Sequence, residues 1–197
     1  MKYLSTLLFL ILTFSGQGQS YPSLEGVSSW DTIPEGKAII YGKFIQRLGF
    51  SSGGFAQDIR LINIETNEIV EFTVKPSLKS ARENSFMYFI KPGNYAILNY
   101  YWTQSTWYGG KIFTEPIFKN IDAMDNLQQK INSGEIKFEK LRQFTFSITE
   151  NSLNYAGTWH FDTGLVSFTD DKIQLDALKK NKFKKLDFSK ADLAIPH

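Results

Sequence analysis

Ser85-Phe-Met-Tyr-Phe-Ile-Lys-Pro-Gly-Asn-Tyr-Ala-Ile-Leu-Asn-Tyr-Tyr-Trp102 decides how the rest of the chain is read, because it holds two apolar runs joined by Lys91-Pro92-Gly93-Asn94. Proline presets the first central torsion of a tight turn and glycine supplies the positive φ that follows, so the expectation is two adjacent antiparallel strands. Phe86, Tyr88 and Ile90 alternate with Met87 and Phe89, and Tyr95, Ile97, Asn99 and Tyr101 alternate with Ala96, Leu98, Tyr100 and Trp102. Rings and aliphatic chains on both faces place this hairpin centrally, with neighbours on each side.

Upstream, Lys37 to Gln46 is a β-branched and aromatic strand opened by the turn signal Pro34-Glu-Gly36. Leu48 to Phe55 is a glycine-serine loop carrying two phenylalanines. Asp58 to Glu65 and Glu68 to Val74 alternate around Thr66-Asn67 and form a second expected hairpin. Downstream, Lys111 to Phe118 reads as a short strand. Met124, Leu127 and Ile131 then fall at helical spacing, with Asn132-Ser133-Gly134 as the stop, a strand followed by a turn being the competing reading. Arg142 to Thr149 and Leu153 to Phe161 flank Glu150-Asn151-Ser152 as another pair of strands, and Leu165 to Thr169 adds one more. Asp170-Asp171 sits where an N-cap belongs. Behind it Ile173, Leu175 and Leu178, with Lys179 and Lys180, make a short amphipathic helix whose acids come first and lysines last. Leu186, Phe188, Leu193 and Ile195 give the tail enough apolar anchors to act as a strap. The fold class expected from this pattern is mainly β, an antiparallel β-sandwich with one or two short helices.

The chain has 197 residues, 17 Phe, 9 Tyr, 4 Trp and a formal charge of only +2. That length suits one domain with a real core, and the near-neutral balance argues against a nucleic-acid partner, which needs concentrated Lys and Arg. Lys2, the apolar run Tyr3 to Phe14 and the small polar residues from Ser15 to Ser20 have the layout of a secretory signal peptide, with cleavage expected between Gly16 and Ser20. The apolar run is too short for a bilayer span, and no later segment supplies one. There is no cysteine. The domain must therefore hold without disulfides in an oxidising compartment, and it lacks the residue that would carry a lipid after export. The expected organisation is a signal peptide over 1–19, an extended lead-in over 20–36 and one domain over 37–197. That domain carries a helical insertion near 121–132 and a C-terminal helix plus strap over 171–197. The expected location is periplasmic or extracellular.

Gly36 to Trp102, with its Lys91-Pro-Gly-Asn-Tyr95 turn before an aromatic strand, resembles the transthyretin-like modules of carboxypeptidase regulatory-like domains. Phe144-Thr-Phe-Ser-Ile-Thr-Glu-Asn-Ser-Leu-Asn-Tyr-Ala-Gly-Thr-Trp-His160, followed by Asp170-Asp-Lys172 and a Lys-rich helix, resembles small exported bacterial proteins of unknown function. Together the two matches cover more than half of the mature chain. They imply a transthyretin-like or Ig-like sandwich at the cell envelope and bring no catalytic residues with them.

Catalytic and metal chemistry have little to work with. Only His160 and His197 are available, which excludes a multi-histidine site; His160 with Asp162 is an acid-base or metal fragment by residue type, but two ligands do not complete a site. Asp162, Asp170 and Asp171 lack the alternating spacing of a calcium loop. No cofactor is expected. Binding is better supplied. Tyr101, Trp102, Trp107 and Tyr108 cluster at the end of the central strand pair and in the loop beyond it, beside Gly109-Gly110. Flat rings on a glycine-containing loop give large contact area at small entropy cost, as a sugar-stacking or protein-docking surface requires, although alternate rings of such a run also serve as core. Lys172, Lys179, Lys180, Lys182, Lys184 and Lys185 form the one basic cluster. It suits an acidic envelope polymer or lipid headgroups, but the interleaved Asp171, Asp176 and Asp187 favour a solvated helix face. The reading is an exported non-catalytic binding or structural protein, with a glycan or an envelope protein as its partner. The alternative is a carbohydrate-active or other hydrolytic enzyme with carboxylates that no motif singles out.

Overall fold

Runs rich in β-branched and aromatic residues form ten strands in the computed structural model, which describes residues 21–45, 57–74, 83–106, 109–116, 126–137, 139, 144–161 and 166–197. The strands are β1 Ala38–Ile45, β2 Gln57–Asn63, β3 Ile69–Val74, β4 Glu83–Ile90, β5 Gly93–Thr106, β6 Gly109–Pro116, β7 Thr145–Ile148, β8 Leu153–His160, β9 Ser167–Thr169 and β10 Asp192–Leu193. Two helices, α1 Leu127–Asn132 and α2 Lys172–Lys180, complete the mainly β architecture. The signal-peptide residues and the loop Leu48 to Phe55 lie outside the described residues, as do residues 121–125 of the expected helical insertion.

The strands form two five-stranded sheets. One runs β10-β8-β1-β4 with β9 on β8, and the other runs β3-β2-β5-β6 with β7 on β5. The hairpin expected around Lys91 to Asn94 is therefore not formed. β4 pairs with β1, whereas β5 pairs with β2, β6 and β7 in the other sheet. Proline and glycine do reverse the chain there, with Gly93 at φ 139° and the Tyr95 hydroxyl donating to the Lys91 carbonyl at 3.0 Å, but the reversal is a corner between sheets.

A second correction concerns β7 and β8, which also part company across a turn. Asn151 takes φ 54° in that turn. The fully buried Asn154 holds it, its Oδ1 accepting from the Thr149 amide at 2.9 Å and its Nδ2 donating to the Thr149 carbonyl at 3.2 Å. β8 then runs parallel to both β1 and β10, so its sheet is mixed rather than antiparallel throughout.

The register of β1 and β8 slips between Tyr41 and Lys43, where β8 carries an extra residue before Thr158. This bulge explains two glycines. Gly157 has φ 84°, and a Cβ on Gly42 would lie 2.6 Å from the Gly157 carbonyl oxygen and 2.7 Å from the Phe86 ring. The hairpin β2–β3 forms as the sequence predicts, with Asn67 at φ 59° and Asn63 Oδ1 accepting from the Glu65 and Thr66 amides.

One cluster of apolar side chains is shared by the two sheets. It includes Ile40, Phe44, Phe86 and Trp159 from the first and Leu61, Phe72, Ile97, Tyr100 and Phe146 from the second. Trp159 sits at its centre with its ring 5.1 Å from Phe86, 6.1 Å from Phe72 and 6.2 Å from Phe146, and its indole N–H donates to the Ala156 carbonyl at 2.7 Å. The aromatic residues on the outer faces are covered too. Ile39, Tyr41, Met87 and Phe89 pack with Leu175 of α2 and with Phe183, Leu186 and Phe188 of the C-terminal segment. Ile62, Ile69, Ala96 and Leu98 pack under Leu127 and Ile131 of α1.

The face that α2 buries departs from its sequence pattern. Leu175 is 1 % exposed, but Ile173 and Leu178 are 84 % and 69 % exposed. Of the expected caps, Asp170 accepts from the Lys172 amide at 3.0 Å, whereas Asp171 makes no capping bond.

The ends of the described chain cover the β3 edge of one sheet and the β4 edge of the other, and add hydrogen bonds at β7 and β8. The Glu71 amide of β3 donates to Pro22 and the Phe89 amide of β4 to Glu25, so the segment 22–27 stitches an edge of each sheet. At the other end Thr145 and His197 exchange both backbone hydrogen bonds, and the Ala194 amide donates to Tyr155.

Two substitutions probe this arrangement. Trp159→Ala should cost roughly 3–5 kcal/mol in urea unfolding, the loss seen when a buried large aromatic is truncated without repacking. Gly157→Ala should cost about 1–3 kcal/mol because its φ and the nearby Thr169 carbonyl both oppose a Cβ.

Candidate functional site

On the outer face of the second sheet, the register sets Arg60 of β2 opposite Glu71 of β3, and Asp58 opposite both Thr73 and Tyr101. Arg60 is 3 % exposed. Its Nε is 3.5 Å from Glu71 Oε2, and its guanidinium carbon lies 4.5 Å from the Tyr21 ring centroid and 4.6 Å from that of Tyr101. A planar cation between two rings gains from both faces while its edge meets the carboxylate. The Tyr101 hydroxyl donates to Glu71 Oε2 at 3.2 Å, and Thr73 donates to Asp58 at 2.6 Å. Burial, reinforced by the Asp58 and Glu71 carboxylates against the opposing Arg60, pushes the Tyr101 phenol up to about 12. Burial raises Tyr21 as well. Beside them Asn99 of β5 is fully buried, with neither end of its amide hydrogen-bonded among the described residues.

This network is the root of a hairpin. β5 continues to Thr106, and Thr103 to Thr106 pair with Gly109 to Ile112 of β6 alone among the described residues. Of the four expected binding residues, Tyr101 belongs to the network. Trp102 stands in β5 opposite Gln57 and Phe113, while Trp107 and Tyr108 lie outside the described residues. Arg60, Glu71 and Tyr21 escaped the sequence reading. The usable signal was a lone arginine within the apolar run Ile59 to Ile62, directly across a two-strand hairpin from a glutamate.

A second polar group lies where β9 meets β8. The Thr169 hydroxyl donates to Asp171 Oδ2 at 3.2 Å, so His160 Nε2, 2.8 Å from the same hydroxyl oxygen, is the protonated nitrogen of its ring. The Thr158 and Thr169 hydroxyls, Lys43 and His160 hold Asp171 below the usual carboxylate range, Thr158 most strongly. His160 is thus engaged with Thr169, and Asp162, its expected companion, lies outside the described residues. No group of three or more metal-ligating side chains occurs among the described residues.

One groove contains a serine with its hydrogen-bond partner among the described residues. In this groove of about 580 Å³, lined by Ile64, Glu65, Asn94, Phe146, Ser147 and His197, Ser147 donates to Asn94 Oδ1 at 2.5 Å and the Asn94 amide donates to Glu65. Its hydroxyl proton is spent on an amide, not offered to a base. No described helix is long and apolar enough to cross a membrane.

No family model matches the chain, and no curated protein does. Among solved structures it resembles a leucine-rich repeat protein from Bacteroides thetaiotaomicron VPI-5482, at 14 % identity and a TM-score of 0.39, over 76 % of this chain and 16 % of that one.

Removing Arg60 should leave Glu71 without its cation. Arg60→Ala is expected to lose roughly 3 kcal/mol in urea unfolding, and the double variant Arg60→Met/Glu71→Leu most of that back, as for other buried pairs. The phenols give an alkaline signature. Tyr101 and Tyr155 are pushed up to about 12, mainly by burial, whereas an unfolded phenol titrates near 10. Their stabilising contribution is complete below about pH 10 and is lost as the pH rises through 12. The urea midpoint should fall across that window, less steeply in Tyr101→Phe.

Proposed function

We propose that this chain is an exported, non-catalytic binding or structural component of the bacterial envelope or exterior, built as a transthyretin-like or Ig-like β-sandwich. The observation that carries the reading is the β5–β6 hairpin. Its last residues pair with no strand but each other among the described residues, its root is braced by Arg60, Glu71 and Tyr101, and the two residues joining its strands are Trp107 and Tyr108. A base braced by buried contacts, with two aromatic residues next to it in the sequence, suits recognition, because rings supply contact area at small entropy cost. Glycans and envelope proteins are the partners that flat rings accommodate. The histidine and serine groupings described above are satisfied by threonine and asparagine, an arrangement that favours binding over hydrolysis.

The test is a glycan-array and envelope pull-down screen on the chain from Gln19 onward, comparing wild type with Trp107→Ala/Tyr108→Ala. A ligand held by wild type and weakened at least about tenfold in the double variant, with an unchanged melting curve, is the expected outcome, since a pair of central aromatic anchors commonly contributes more than 1.4 kcal/mol. Equal retention by both proteins would remove the aromatic tip as the site.

A further inference from the structure

α2 turns a lysine toward the sheet where its pattern calls for an apolar residue. Leu175, Lys179 and Phe183 follow one another at four-residue intervals, and the Phe183 amide donates to the Lys179 carbonyl at 3.0 Å, so the three form one stripe. Leu175 and Phe183 are 1 % and 3 % exposed, while Ile173 and Leu178 face solvent. Between its two buried neighbours the half-buried Lys179 extends to β4. There its Nζ donates to Ser85 Oγ at 2.9 Å and lies 5.8 Å from the Phe183 ring centroid.

No carboxylate is within ion-pair distance of that amine among the described residues. Asp176, one turn earlier on α2, is committed to the Tyr41 hydroxyl at 2.7 Å and to Lys172 at 2.5 Å. Lys43 of β1 stands in register with Ser85, Glu83 is two residues along β4, and Lys182 approaches the same Phe183 ring at 5.2 Å. Among the described residues the charged neighbour that acts on Lys179 is thus a second cation, and its hydrogen-bond partner is a neutral hydroxyl. Desolvation without a counter-charge, with Lys182 adding to it, lowers this ammonium to about 8.

We infer that Lys179 is a nucleophilic amine and the preferred acylation site of this protein, taking an acyl group from an activated donor such as a thioester or acyl phosphate. The Nζ lone pair attacks the acyl carbon and a C–N bond forms. The bond to the leaving group breaks with its electron pair, and the amine's proton passes to water or to the departing group. The product is a neutral amide, which removes the uncompensated charge from beneath α2.

Limiting acetic anhydride on the full chain, read lysine by lysine by mass spectrometry from pH 6 to 11, tests this. At pH 7.5 Lys179 should acetylate about tenfold faster than Lys184 or Lys185, because its larger neutral fraction outweighs its lower intrinsic nucleophilicity. The midpoint of its reactivity should lie near 8. In Ser85→Asp, where a carboxylate supplies the missing counter-charge, the rate should fall to that of the exposed lysines. Lys179→Met should unfold at higher urea than wild type at pH 7. It should also abolish the gain in stability that wild type shows as the pH rises from about 8 to 10.4, the interval in which the unfolded chain binds the extra proton. Labelling of Lys179 at the exposed rate, a midpoint above 10, unchanged labelling in Ser85→Asp, or a destabilised Lys179→Met would each overturn the assignment.

Discussion

Trp159 needs more space than either sheet alone provides and an acceptor for its indole N–H. Its ring contacts span Phe72 and Phe146 of one sheet and Phe86 and Phe168 of the other, so it is buried only when the sheets face one another. The acceptor is the Ala156 carbonyl, three residues back on the same strand. That bond accompanies the bulge at Gly157, and the bulge in turn requires a glycine on the neighbouring strand, where the Gly42 position is crowded by the Gly157 carbonyl and the Phe86 ring. The indole, the two glycines and the parallel pairing of β1 with β8 are therefore one constraint.

Around that core the chain covers both outer faces and much of the edge. The segment 22–27 and the C-terminal strap each tie one sheet to the other through backbone hydrogen bonds. Such ties restrict relative movement of the sheets without any disulfide, in a chain that has no cysteine. Polar groups taken under this cover are handled in opposite ways. Arg60 is paired and stacked, and Asn154 spends its amide on a turn. Lys179, in contrast, meets Ser85 and an aromatic ring, with no ion-pair partner among the described residues. The first arrangement stabilises, whereas the second keeps an amine under tension between solvation and burial.

What could be read from the sequence divides along a physical line. Alternation and turn chemistry are properties of neighbouring residues, so the strands, the β2–β3 hairpin and the start of α2 at Asp170 were legible without coordinates. The aromatic run that includes Tyr101 was visible for the same reason. Its partners were not. Tyr21, Arg60 and Glu71 come from separate stretches of the chain, and only the pairing of β2 with β3 and β5, with the lead-in beside them, brings them together.

Local chemistry sets where the chain reverses, at Lys91 to Asn94 and at Glu150 to Ser152, and which residues alternate on each side of those reversals. The sheet in which the chain lands afterwards follows from long-range packing, because a turn sets the local torsions while the choice of sheet depends on which distant strand has an open edge and a matching apolar face. The same holds for α2. Its composition announced a helix, but the distant surface of β1 and β4 selected Leu175 and Lys179 as its inward side and left Ile173 and Leu178 in water.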